Sequence, residues 1–181
     1  MPISSLMVPL GTPAPDFALP DLTGQTVRRD DLAGAPALLV TFLCNHCPYV
    51  RHIETQLGAL LAQYPTLATV GICTNDTAEY PDDRPERLAD QTRRAGWAFP
   101  YLVDADQDVA RAYNAACTPD FFLYDRHRRL AYRGAFDDSS PGNGKPVTGD
   151  RLRAALEHVL AGEPVPEPHT PSLGCSIKWR S

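Results

Sequence analysis

Two of the chain's five cysteines lie three residues apart, in the run Cys44-Asn45-His46-Cys47. Two thiols at this spacing can close a small disulfide ring and exchange it with other thiols and disulfides. The run lies where an apolar strand pattern ends and a helical pattern begins. We therefore expect Cys44 at the positive end of a helix, where its reactive thiolate is stabilised. His46 and Asn45, between the two cysteines, are expected to tune this environment, and His46 to lower the pKa of Cys44 further.

The elements around this run predict an α/β fold. Residues 37–43 form an apolar run typical of a buried strand, and apolar residues between 50 and 61 then share one helical face. Residues 11–35 indicate a loop with a small hairpin. Further strands are predicted at 67–73, 99–103, 121–124 and 130–132, and further helices at 86–95, 108–115 and 149–162. This alternation, with a final hairpin and helix, indicates a central mixed sheet flanked by helices.

The length of 181 residues suits one domain, at about 150 residues per domain. We assign residues 1–162 to this domain. The remaining segment, 163–181, contains four prolines and little periodicity, so we expect an extended tail. Because such a tail cannot build a core of its own, it is expected to pack back on the domain.

The composition excludes several classes of protein. Lys and Arg number 17 against 22 Asp and Glu, and no basic block is present, which argues against a nucleic-acid binder. No apolar run reaches the ~18 residues of a membrane helix. Residues 1–10 lack the basic start of a secretory signal. We therefore expect a cytoplasmic protein, in which cysteines are more often catalytic, metal-binding or core residues than structural bridges.

Two metal-binding alternatives are open for the cysteine pair. Half of a zinc site would need a second ligand pair, but the remaining cysteines and His52 are scattered singly, so we expect no metal. A copper chaperone would use the soft thiolates for Cu(I). Methionines near the cysteines would then be expected, whereas the two methionines are Met1 and Met7.

The run LVTFLCNHCPY at 39–49 resembles the strand–CxxC–helix signature of the thioredoxin-like superfamily. Residues 104–136 are similar to the redoxin pattern of a helix ending in Tyr, then Thr-Pro, then two antiparallel strands. The segments GTPAPDF at 11–17 and GCSIKW at 174–179 also match the alkyl hydroperoxide reductase/thiol-specific antioxidant redoxins that carry a thioredoxin-type CxxC. The resemblance therefore covers nearly the whole chain.

The resemblance implies a thiol-disulfide oxidoreductase with antioxidant activity, acting on protein or small-molecule disulfides and recycled by an unidentified electron donor. Cys44 would attack the substrate disulfide, and Cys47, less exposed, would resolve the mixed disulfide. The Cys44–Cys47 disulfide would be the redox group, with no other cofactor. Thr118 and Pro119 match the superfamily's cis-proline loop, where the Thr118 backbone would pair with an extended substrate strand.

Leu38, Asn45 and His46 depart from the family pattern. Many thioredoxins carry a buried acid about six residues before the first cysteine, and Leu38 occupies that position here. Asn45 and His46 replace the usual Gly-Pro between the cysteines. The proton acceptor for Cys47 is therefore open between water, His46 and an acid elsewhere.

A thiol peroxidase is the rival function. Peroxiredoxins use the pattern Pro-x-x-x-Thr-x-x-Cys, and Thr41 and Cys44 fit its second half, but Ala37 stands at the proline position. This departure, together with the ready resolving thiol Cys47, favours the oxidoreductase.

The other three cysteines lie outside the pair. Cys73 ends a strand and is expected in the core. Cys117 precedes the Thr-Pro pair, so it is expected near the site, as a third redox thiol or as a packing residue. Cys175 lies in the tail and could be a partner in a second disulfide.

Overall fold

A computed structural model describes residues 1–181 as ten strands and four α-helices. The strands are β1 (Ile3–Ser4), β2 (Ala18–Pro20), β3 (Thr26–Arg28), β4 (Leu38–Phe42), β5 (Ala68–Cys73), β6 (Tyr101–Val103), β7 (Cys117–Thr118), β8 (Asp120–Tyr124), β9 (Leu130–Arg133) and β10 (Leu173–Ser176). The helices are α1 (Pro48–Leu61), α2 (Pro85–Ala95), α3 (Asp108–Tyr113) and α4 (Asp150–Leu160). Two 3₁₀ turns lie at Arg29–Leu32 and Pro81–Asp83.

Five strands form the central sheet, in the order β6-β5-β4-β8-β9. β4 and β5 are parallel, as are β5 and β6, whereas β8 runs antiparallel to both β4 and β9. The predicted mixed sheet is therefore confirmed. β4 lies in the middle and is buried along its whole length, which explains its continuous apolar sequence.

Two apolar layers cover the two faces of this sheet, because successive side chains of a strand point to opposite faces. Leu39 packs with α1, α2 and α4 in one layer. Leu38, Val40 and Phe42 pack in the other layer with α3 and the β2–β3 hairpin. The CxxC run follows directly after β4, so both layers help to fix its position.

The helices begin and end near the predicted residues. α2 ends at Gly96, which adopts a left-handed conformation with φ of 70° that favours glycine. α4 begins after Gly149, which has φ of 68°. No helix has the length and apolar character needed to cross a membrane.

The tail packs back on the domain through a strand that the sequence analysis did not predict. β10 lies between β1 and β7 in a three-stranded antiparallel sheet. This small sheet lies beside the loop that carries Thr118 and Pro119, and so brings the tail to the site.

Candidate active site

The CxxC run occupies the turn between β4 and α1. α1 begins at Pro48, so Cys47 is the N-cap residue of the helix and Cys44 lies in the preceding loop. Both cysteines have an exposed fraction of 0%. All five cysteines are free thiols.

The pKa values of the two thiols shift in opposite directions, and the lowered pKa expected at Cys44 is found at Cys47 instead. Burial raises the pKa of Cys44 well above its usual value, and the contact with Cys47 and the charge of Asp83 raise it further. The pKa of Cys47 is lowered to about 5, first by the hydrogen bond with Cys44 and then by Cys175, the Val50 amide and Thr118, against the effect of burial. The helix begins after Cys47, so its positive end acts on that thiol, and the thiolate is held there.

A buried carboxylate, Asp83, is hydrogen-bonded to the CxxC loop. It accepts hydrogen bonds from the backbone N–H groups of Asn45 at 2.7 Å and His46 at 3.2 Å. Its other oxygen accepts from His46 Nδ1 at 2.6 Å and Asn75 Nδ2 at 2.9 Å. Burial by itself would raise the pKa of Asp83, but these hydrogen bonds hold it below its usual value. The sequence analysis missed Asp83, because it lies in a polar, proline-punctuated loop with no chemical motif.

His46 and Asn45 hold the loop through hydrogen bonds, and neither makes a hydrogen bond with the thiol of Cys44. The His46 ring is paired with Asp83 and stacks on Tyr80, with 5.0 Å between ring centroids. Asn45 Nδ2 donates to the Asp82 carbonyl at 2.8 Å, and its Oδ1 accepts from Arg94 at 3.0 Å. The effect of His46 on the pKa of Cys44 stays a prediction, and the structure shows the His46 ring nitrogen paired with Asp83.

A second buried polar group holds the backbone of Cys44. Gln91 has an exposed fraction of 0%, and its Nε2 donates to the Cys44 carbonyl at 2.9 Å. Tyr101 in turn donates to Gln91 Oε1 at 3.0 Å. These bonds satisfy groups that would otherwise be buried without partners, and they fix the start of the loop.

The cis-proline loop faces both thiols. The Thr118–Pro119 peptide bond is cis, as the resemblance implied. Thr118 Oγ1 lies 3.2 Å from Cys44 Sγ, and the Thr118 carbonyl oxygen lies 3.2 Å from Cys47 Sγ. The structure thus brings the cysteines and Thr118 together as predicted.

The backbone edge expected to receive a substrate strand is occupied by the chain itself. In the register of β7 and β10, Thr118 lies opposite Cys175. The substrate-binding role of Thr118 and Pro119 stays a prediction, and the tail occupies the edge that a substrate strand would use. The same pairing places Cys175 Sγ 2.8 Å from Cys47 Sγ.

The other two cysteines are packing residues. Cys73 and Cys117 are both buried, and burial raises the pKa of each thiol. Cys117 Sγ contacts the Pro119 carbonyl oxygen at 3.6 Å and makes no hydrogen bond with another thiol. Of the two interpretations open for Cys117, the geometry favours packing.

Three groups with metal-ligating atoms lie close together at the site. Ligand atoms of Cys44, His46 and Asp83 lie within 4.8 Å of one another. Sequence reasoning did not find this cluster, because Asp83 is 37 residues from His46. The oxygens of Asp83 are already hydrogen-bonded, so a cation would have to replace those bonds.

Comparison with known proteins identifies the family of this chain. Residues 10–133 match the model of the AhpC/TSA family. The chain belongs to the AhpC/TSA family. This confirms the predicted redoxin relationship, and the match includes the CxxC run and the cis-proline loop.

Three curated relatives illustrate the range of AhpC/TSA-like proteins. The thiol-disulfide oxidoreductase ResA of Geobacillus kaustophilus is 31% identical over 122 residues, which cover 66% of each chain. The thiol:disulfide interchange protein DsbE of Allochromatium vinosum is 31% identical over 128 residues, covering 65% of each. A putative peroxiredoxin of Mycobacterium tuberculosis is 30% identical over 107 residues, covering 58% of this chain and 63% of the relative. The chain thus spans about two thirds of the length of these relatives.

Solved structures confirm the thioredoxin-like fold of this family member. A hypothetical protein from Sinorhizobium meliloti is 49% identical, with 98% of each chain covered and a TM-score of 0.96. A secreted Mycobacterium tuberculosis disulfide oxidoreductase is 20% identical, with 78% of this chain and 94% of that chain covered, and has a TM-score of 0.62. The second likeness bears on the fold alone.

Proposed function

We propose that the protein is a thiol-disulfide oxidoreductase that exchanges electrons with protein or small-molecule disulfides through Cys44 and Cys47. The observation that carries this proposal is the placement of both thiols against Thr118 at the start of α1. The names of the ResA and DsbE relatives support it.

The geometry accounts for how the pair exchanges a disulfide. A thiolate is the attacking species, and the pKa of about 5 for Cys47 supplies one at neutral pH. Attack on a disulfide forms a mixed disulfide and releases one thiolate. The second cysteine of the pair then attacks the sulfur of the first cysteine in that mixed disulfide. This attack closes the Cys44–Cys47 disulfide and releases the second sulfur of the substrate as a thiolate. Two electrons pass from the dithiol to the substrate.

Asp83 is a buried acid beside the pair, whereas this chain has Leu38 at the position where many thioredoxins carry their buried acid. Its charge favours the protonated form of Cys44. We therefore propose that Asp83, with His46 on its other side, sets the proton balance of the pair. Of the three acceptors left open by the sequence, an acid elsewhere in the chain fits this position.

Reduction of insulin disulfides by the reduced protein, with dithiothreitol as the recycling reductant, tests the function. We expect wild-type protein to accelerate insulin precipitation, and the Cys44→Ser and Cys47→Ser variants each to lose this acceleration. Cys73→Ser is the matched control, because Cys73 is buried and makes no hydrogen bond with either thiol of the pair. Full activity of Cys47→Ser would contradict the proposal.

Peroxidase activity is a second candidate, supported by the relatives named as putative peroxiredoxins. Thr41, at the family's threonine position, is buried and its Oγ1 has no hydrogen-bond partner. However, no arginine donates to either thiol of the pair, and the nearby Arg51 and Arg94 bind Asn45 instead. Consumption of hydrogen peroxide by Cys47→Ser, with wild-type protein inactive on insulin, would favour the peroxidase.

Metal binding is the third candidate, for which Cys44, His46 and Asp83 would supply the ligand atoms, but the oxygens of Asp83 are already hydrogen-bonded. We expect purified protein to contain no stoichiometric zinc or copper. Metal analysis of the reduced protein tests this, with Asp83→Asn as the variant that removes a ligand.

A cytoplasmic location also stays a prediction, which cell fractionation would test.

A further inference from the structure

We propose that Cys175 is a third redox thiol, which forms a disulfide with Cys47 and connects the buried Cys44–Cys47 pair to external thiols. This inference rests on the proposed function of the pair. It adds a residue and an exchange step that the CxxC run does not contain.

The contact between the sulfurs is the first observation. Cys175 Sγ lies 2.8 Å from Cys47 Sγ, so a shift of less than about 1 Å would bring the two atoms to the S–S bond length of ~2.05 Å. Cys47 therefore lies between two possible sulfur partners, Cys44 on one side and Cys175 on the other.

Exposure distinguishes the three thiols. Cys44 and Cys47 each have an exposed fraction of 0%, whereas Cys175 is partly exposed. An external thiol thus reaches Cys175 before it reaches the pair. A buried pair needs such a route, because thiol-disulfide exchange requires direct contact between sulfurs.

The tail is held tightly enough to fix the position of this sulfur. A Cβ atom at position 174 would overlap the carbonyl of Thr118, so only glycine allows β10 to approach the cis-proline loop this closely. On one side of Cys175, Ser172 Oγ donates to the Pro119 carbonyl at 2.7 Å. On the other side, the buried Ile177 donates its backbone N–H to the Ala116 carbonyl at 3.1 Å.

The exchange balances without an additional oxidant. In the oxidised protein, the Cys175 thiolate attacks Cys47 Sγ of the Cys44–Cys47 disulfide. The Cys47–Cys175 bond forms, and Cys44 leaves as a thiolate, so the protein still holds one disulfide. An external dithiol then attacks Cys175 Sγ, and Cys47 leaves as a thiolate. The second thiol of that reductant displaces Cys175 from the mixed disulfide, and two electrons have entered the protein.

Oxidation of the pair changes the charges around Cys175. Burial and the neighbouring Cys47 raise the pKa of Cys175 to about 12 in the reduced protein, while the charge of Lys178 lowers it. Once Cys47 is in a disulfide its thiolate charge no longer raises the pKa of Cys175, while burial still raises that pKa and Lys178 still lowers it. Cys47, with a pKa of about 5, is also a good leaving group when Cys175 is attacked. Oxidation of the pair therefore brings the pKa of Cys175 closer to its usual value.

Peptide mapping tests the proposed bond directly. Trypsin releases Cys44 and Cys47 together in peptide 30–51 and Cys175 in peptide 154–178. In the Cys44→Ser variant treated with diamide, a thiol oxidant, we expect these two peptides to be disulfide-linked. The Cys44→Ser/Cys175→Ser double variant is the matched control, and it should lose the link. Free peptides from oxidised Cys44→Ser would overturn the proposal.

Wild-type protein keeps the test decisive if Cys44→Ser does not fold. With less than one equivalent of diamide, we expect peptide 30–51 both with its internal disulfide and linked to peptide 154–178. The internal form alone would overturn the proposal. The insulin assay separates this result from the proposed function, since wild-type protein that reduces insulin but never forms the link retains the function and loses the relay.

The rate at which an external thiol reduces the oxidised protein gives a second test. We expect Cys175→Ser to slow reduction of the Cys44–Cys47 disulfide by dithiothreitol by about tenfold or more, because the pair is buried and exchange needs access to a sulfur. Cys117→Ser is the control, since Cys117 makes no hydrogen bond with another thiol. An unchanged rate in Cys175→Ser would contradict the relay.

Discussion

Thr118 and Cys175 lie opposite each other in an antiparallel strand pair, so the C-terminal strand covers the backbone edge of the cis-proline loop. In this position the strand both shields Cys44 and Cys47 and presents a third sulfur to Cys47. Thr118 therefore contacts both the thiols of the redox pair and the C-terminal strand.

Gly174→Ala should displace β10 from the loop, because the added methyl group would overlap the Thr118 carbonyl. We expect faster alkylation of Cys44 and Cys47 by iodoacetamide in the reduced protein, measured by mass spectrometry. Overpacking at a close contact should also lower the free energy of unfolding by about 1–3 kcal/mol. Gly34→Ala is the control, since nothing surrounds that position. Equal protection of both thiols in Gly174→Ala and wild-type protein would show that the tail does not cover them.

The ultraviolet absorbance of the thiolate should report the pKa of Cys47 directly. We expect one thiolate to appear as the pH rises through about 5, because that is the pKa of Cys47 in the folded protein. Cys47→Ser should abolish this titration, and Cys44→Ser should move it to higher pH, since the hydrogen bond with Cys44 is the main cause of the low pKa. Cys73→Ser should leave it in place. A first thiolate appearing only near pH 9 in wild-type protein would contradict the assignment.

Asp83→Asn should lower the pKa of Cys44, because it removes a buried negative charge that raises that pKa. A more stable thiolate favours the reduced form, so we expect the Cys44–Cys47 couple to become more oxidising. Equilibration with glutathione measures the change in potential. Asp82→Asn is the matched control, because Asp82 is the exposed neighbour in the same turn. The prediction fails if both variants give the wild-type potential.

Asp83 should also stabilise the fold above acidic pH. Its pKa is lower in the folded protein than the model-peptide value of 3.8. Its contribution is therefore fully present above about pH 4 and lost as the pH falls through the lower, folded-state pKa. We expect the unfolding free energy of Asp83→Asn to depend less on pH below 4 than that of wild-type protein. Urea denaturation across this range measures the difference, and parallel curves would argue against it.

Asp120 should have the opposite effect on stability. Burial raises its pKa to about 7, and its Oδ1 has no hydrogen-bond partner. Between pH 4 and 7 the unfolded chain has released this proton while the folded chain keeps it, so ionisation favours unfolding as the pH rises. We expect Asp120→Asn to be more stable than wild-type protein at pH 8, with a smaller advantage at pH 5, measured by urea denaturation. Asp106→Asn, at an exposed position, should show no such trend.

The parts of the site that depend on short-range patterns could be predicted from the sequence. The CxxC run follows an apolar strand, and Thr118–Pro119 follows a helix, so both could be placed from their neighbours. The five strands of the central sheet are apolar runs, and α1, α3 and α4 have apolar periodicity, whereas α2 is a polar segment bounded by Pro85 and Gly96. These features depend on neighbouring residues and on which of them are buried, and both leave a pattern in the sequence of a single chain.

The parts that depend on long-range contacts could not be predicted. Asp83 reaches the loop from a segment without apolar periodicity. β10 has four residues and includes Gly174, so its pattern is too short to indicate a strand. The lowered pKa of Cys47 depends first on its hydrogen bond with Cys44 and then on Cys175 and Thr118, which are distant in sequence. Contacts of this kind leave no local pattern around the CxxC run.

The pairing of β10 with β7 has a consequence for substrate affinity. A substrate strand that binds the Thr118 edge competes with a segment of the same molecule, so it can bind only the fraction of molecules in which the tail is open. Its apparent dissociation constant is the intrinsic constant divided by that open fraction. Two variants of this protein with the same cysteines can therefore differ widely in apparent affinity for a substrate strand through substitutions in the last nine residues alone.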